Sequence, residues 1–69
     1  MNNAKADAAL YLLTGLLQRL EVDRPGMLQE MIEGVSSDRS SLRENTENRQ
    51  HIDKVFDEAL ELLARANIA

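Results

Sequence analysis

Leucine and alanine recur at helical spacing at both ends of this 69-residue chain, in stripes wider than a helix with one neighbour requires. At about 100° per residue, Ala6, Ala9, Leu10, Leu12, Leu13, Leu16, Leu17 and Leu20 fall within an arc of roughly 160°. Asp7, Thr14, Gln18 and Glu21 lie opposite, and Gly15 falls on the same polar side. Near the other end, Ile52, Val55, Phe56, Ala59, Leu60, Leu62, Leu63 and Ala66 repeat the pattern over a similar arc. A helix buried on one side needs an apolar stripe only a little over ~100° wide. Both terminal helices therefore present enough apolar surface for two neighbours each.

Chain length makes that surplus matter. A domain this small hides only about 60% of its unfolded surface when it folds alone. The usual reinforcements are disulfides, a metal or oligomerisation. With no cysteine and a single histidine, disulfides, thiolate metal sites and a His-rich metal site are not available within one chain, which leaves oligomerisation or a well-packed helical core. The expected architecture is all-α: a helical hairpin plus a short middle helix in one domain over residues 1–69, paired into a dimeric helical bundle. Two copies of the first and third helices would form a four-helix core, with the second helices as flanks.

The first helix is expected from about Ala4 to Glu21. The break is Val22-Asp23-Arg24-Pro25-Gly26, where Asp23 suits an N-cap and Pro25 a first helical turn. The second helix then runs from about Arg24 to Ser36, with Met27, Leu28, Met31, Ile32 and Val35 on its apolar face. Gly34 is either its stop or a point of close packing. Residues 36–50 carry little apolar material besides Leu42 and form either a polar connection or an exposed start of the last helix. Ser41-Leu42-Arg43-Glu44 fits a capping box, which would start that helix near Leu42 and carry it to about Ala66. The competing reading starts it near Asn48. There is no internal repeat, and no heptad run long enough for an extended coiled coil.

Composition narrows the partners. The net charge of −4 argues against broad electrostatic attraction to phosphate backbones or anionic membranes. An apolar fraction of 43% is too high for a disordered acidic tail. No stretch is long enough for a membrane span, and Met1 to Lys5 followed by Asp7 does not read as a signal peptide. A cysteine-free chain without such a leader is expected in the cytoplasm.

No catalytic, cofactor-binding or metal-binding residues are expected. His51 has neither a partner nucleophile nor a recognisable pocket. Glu47, Asp53, Asp57, Glu58 and Glu61 crowd the last helix, but Asn48 stands where a di-metal motif would place glutamate before His51. Arg49–Asp53, Lys54–Glu58 and Glu61–Arg65 have the spacing of helical ion pairs. The leading expectation is a non-catalytic protein-protein interaction module that forms a homodimer, with another protein partner also open. Its interface candidates are Leu10, Leu13, Leu17, Met27, Met31, Val55, Phe56 and Leu62. The alternative is a small regulator binding nucleic acid through Arg39, Arg43 and Arg49, although Asp38, Glu44 and Glu47 interleave with those arginines.

Overall fold

A computed structural model describes residues 3–67, and among these the regular structure is helical throughout: α1 Ala4–Asp23, α2 Met27–Ser40 and α3 Arg49–Asn67. Asn3 starts α1 from extended backbone; its side-chain oxygen accepts the N–H of Ala6 at 3.1 Å. The helix runs two residues past the expected end, through Asp23, and the N–H of Arg24 closes it on the carbonyl of Leu20 at 2.9 Å.

The turn into α2 is built differently from the sequence expectation. Asp23 belongs to α1, and Gly26 is the N-cap of α2. Met27 donates to the carbonyl of Arg24 at 3.0 Å, which leaves Pro25 and Gly26 at the centre of the turn. Gly26 has φ 96° and ψ −8°, the third-position geometry of a type II turn, where a side chain is unwelcome. Glycine offers no capping side chain, and Glu21 supplies one from the preceding helix. Its two carboxylate oxygens accept the N–H groups of Gly26 at 2.7 Å and Leu28 at 2.8 Å.

At its far end α2 continues past Ser36 to Ser40, and Gly34 lies inside it with open space around it instead of stopping it. The capping box does not form. Ser41 ends α2, and its hydroxyl donates back to the carbonyl of Ser37 at 3.0 Å. The last helix therefore takes the later of the two starts, after a connection over residues 41–48. Within that connection the Arg43 carbonyl accepts the Thr46 N–H at 3.1 Å, the Thr46 hydroxyl at 2.7 Å and an Arg49 guanidinium N–H at 2.9 Å. Asn48 turns into α3 at φ 59°, a left-handed conformation that asparagine tolerates better than most residues.

Helices α2 and α3 lie antiparallel. Leu28, early in α2, packs with Leu63 and Ala66, late in α3, while Arg39, late in α2, meets Asp53 and Asp57, early in α3. Helix α3 packs against both of the others, and α1 and α2 touch each other least. Among the described residues the buried core is confined to Leu28, Leu63 and Ala66, with Leu17, Met27, Ile32 and Val35 packed around them. This is the junction of the C-terminal half of α1, the first half of α2 and the end of α3.

The result is a flattened body. Its principal extents are 39 × 33 × 13 Å, so one dimension is less than half of either other. The radius of gyration is 13.7 Å, against about 11 Å expected for a compact domain of this length. The accessible surface is 5709 Å², against roughly 4,400 Å² for a compact monomer of the same mass.

Candidate interaction surface on the first helix

Helix α3 obeys its sequence pattern. Ile52, Phe56, Ala59, Leu60 and Leu62 are half-buried, Leu63 and Ala66 are buried, and Glu58, Glu61 and Arg65 face solvent. Val55, on the edge of its apolar arc, is left exposed.

Helix α1 does not place its stripe on the body of its own chain. Its partly buried residues are Thr14, Gly15, Leu17, Gln18 and Glu21, four of them from the side the sequence marks as polar. Taking Thr14, Leu17, Gln18 and Glu21 as the inward direction, the centre of the leucine arc is turned roughly 110° away at 100° per residue. Leu12 is 67% exposed, Leu16 53% and Leu13 46%, and Leu10 and Leu20 are exposed with them. From Ala4 to Leu13 every residue is exposed, and only Leu10 borders a crevice with Leu62 of α3, so the first half of α1 has little cover from its own chain.

Two interactions explain this orientation. Glu21 is held inward by the two N–H groups at the start of α2, which fixes the rotation of α1 about its axis. Those hydrogen bonds, from Leu28 and then Gly26, hold the Glu21 carboxyl below the usual glutamate range. Leu17, at the boundary between the two sides, then supplies the apolar contact to the core. The leucines further round the helix are left in water.

The eight interface candidates from the sequence separate in space. Leu13 belongs to the exposed face of α1, Leu10 is exposed but turned toward α3, and Leu17 belongs to the core margin. Met27 also packs on the core, whereas its neighbour Met31 is exposed. Phe56 and Leu62 are half-buried on α3, and Leu62 borders a small crevice with Leu10, Glu58, Glu61 and Arg65. The contiguous exposed apolar face is thus carried by α1, and it includes Leu12, Leu16 and Leu20, which lie outside that set of candidates. The signal was present in the stripe itself; what the stripe does not reveal is the direction in which it is turned. An open groove also follows α1, lined in part by Tyr11, Thr14, Gln18 and Arg65.

Two of the three candidate arginines are engaged within the fold through their side chains. Arg39 pairs with Asp57 and lies 3.7 Å from Asp53, and Arg49 lies 3.3 Å from the same Asp53 oxygen. The side chains of Arg39, Arg49 and Asp53 are each about one-third exposed, so this is a network at the α2–α3 seam. Arg43 is exposed on the connection and contributes its carbonyl to the network. Of the other expected helical pairs, Glu61–Arg65 forms at 3.7 Å, while Lys54–Glu58 is not among the ion pairs of the described residues. His51 is exposed. Among the described residues no three or more histidine, aspartate or glutamate side chains are grouped to hold a metal ion, and no helix is long and apolar enough to cross a membrane.

No protein-family model matches the chain, and comparison with curated proteins and with solved structures finds no significant match.

Proposed function

We propose that this chain is a non-catalytic helical interaction module that works as a homodimer, with the leucine face of α1 as its contact surface. The observation that carries the reading is the rotation of α1: its polar side lies against the body, and its leucines other than Leu17 are exposed. Burial of apolar surface is the dominant driving force in most protein association. An exposed, contiguous apolar face on a small protein marks an interaction site.

The amount of surface agrees with the proposal. The chain exposes about 1,300 Å² more than a compact monomer of its mass, and a standard protein–protein interface covers about 800 Å² on each partner. Helix α1 supports it as well, because a short helical segment with no packing partner is only marginally stable in water. Covering Ala4 to Leu13 supplies that partner. The nucleic-acid alternative has less support, because Arg39 and Arg49 already face Asp53 and Asp57. In a reducing compartment such as the cytoplasm, a module with no cysteine loses nothing.

Sedimentation equilibrium between about 1 and 100 µM, a range chosen to bracket the affinity of ordinary homodimers, tests the reading. The native chain is expected to approach twice its formula mass. Leu16→Glu is expected to shift it to monomer while most of its helical circular dichroism survives. A native chain that stays monomeric across the range rejects the reading.

A further inference from the structure

We propose that the second copy docks on α1 antiparallel to the first, about a twofold axis level with residue 14, with Lys5 of each chain facing Asp23 of the other. This proposal rests on the homodimer reading above and adds its geometry.

Three features of α1 point to that arrangement. Lys5 and Asp23 are eighteen residues apart, which is about five whole turns, so they stand on one line of the helix surface. That line runs along the edge of the leucine arc that is turned away from the body. Both side chains are exposed, and neither has an ion-pair partner among the described residues. Leu12 and Leu16 lie near the same line and share its midpoint at residue 14. A twofold axis there brings Leu12 against Leu16 at the centre and Lys5 against Asp23 at both ends. A parallel pair would bring Lys5 against Lys5 and Asp23 against Asp23, and like charges in contact are unfavourable.

The helix dipole gives a second argument. A base in the first turn and an acid in the last turn each oppose the macrodipole of their own helix. Lys5 is the second residue of α1 and Asp23 is its last, so both are on the unfavourable end. Across an antiparallel pair each sits beside the end of the neighbouring helix that it favours. The misplacement within one chain becomes complementarity between two.

The third argument is the uncovered arm. In this arrangement the exposed first half of α1 lies along Leu16 and Leu20 of the other chain, where that helix is anchored to its own core. Each copy covers the surface that the other leaves open.

Because the chain has no cysteine of its own, single-cysteine variants give an unambiguous readout. Lys5→Cys and Asp23→Cys are mixed in equal amounts and oxidised under mild conditions. The expected product is a mixed disulfide dimer of the two variants, with little cross-linking of either variant alone. A charge test accompanies it. Lys5→Glu and Asp23→Lys are each expected to raise the dimer dissociation constant about tenfold, and the double variant to restore it. A native dimer in which each variant cross-links with itself, or in which the mixed product does not form, overturns the antiparallel geometry and leaves the homodimer reading standing. A chain that is monomeric throughout overturns both.

Discussion

Gly26 and Glu21 together decide how α1 leaves and α2 begins, and each makes a separate demand on the chain. Gly26 holds φ 96°, so Gly26→Ala introduces a Cβ into a left-handed conformation although open space surrounds it. The expected loss is about 1–2 kcal/mol of stability, seen as a lower denaturant midpoint with an unchanged slope. Glu21 acts through its charge. Its carboxyl is held below the ordinary range by two backbone N–H groups, so the folded state binds its proton less readily than the unfolded state. Its contribution is complete above the unfolded value of about 4.3 and is lost as pH falls through the lowered folded value. Thermal melts from pH 7 down to pH 2 are expected to show that decline. Glu21→Gln is expected to lower the melting temperature at neutral pH and to reduce the decline on the acid side. An unchanged acid limb in that variant would place the pH dependence elsewhere.

At the scale of the elements, the seam between α2 and α3 is apolar at one end and ionic at the other. Leu28 with Leu63 and Ala66 closes the first end, and Arg39 with Asp53 and Asp57 closes the second. The ionic end is partly open to water, so Arg39→Met is expected to cost about 1 kcal/mol or less and to lose its effect in high salt. Comparing the two chains' denaturant curves at low and high salt checks this. The helices themselves were legible in the sequence, because the spacing of Leu10 to Leu20 and of Ile52 to Ala66 admits little else. Three features were not. The Ser41–Glu44 capping box is a strictly local signal, and it lost to Ser41 bonding back to Ser37 while Arg39 reached across to α3. The Asp23 cap lost to Glu21, whose bond to Leu28 spans seven residues and leaves no spacing signature. The turning of α1 was hidden for a related reason: periodicity shows which side of a helix is apolar, whereas the anchoring of Glu21 and Leu17 decides which side the body covers. The width of the stripe was visible beforehand, but its outward direction emerged only from the fold.

For the whole molecule, the governing quantity is the ratio of surface to core. A buried cluster of Leu28, Leu63 and Ala66 is small for three helices, and the flattened body offers no second apolar side within itself. If a second copy covers α1, association adds to folding by mass action, and the melting temperature rises with protein concentration. Calorimetry over a hundredfold range of concentration is expected to show that rise in the native chain and a flat response in Leu16→Glu. A flat response in the native chain would remove the thermodynamic role assigned to the leucine face.

The depth of the molecule has a consequence for how its backbone meets solvent. With Cα atoms confined to 13 Å along the short axis, no amide of an isolated chain lies far from bulk water. Deuterium entering a lone copy therefore meets little resistance from depth alone, and protection must come from the hydrogen-bonded helices staying closed. The amides of residues 4–13 are where a docked neighbour would slow that uptake most, because every residue there is exposed in the single chain.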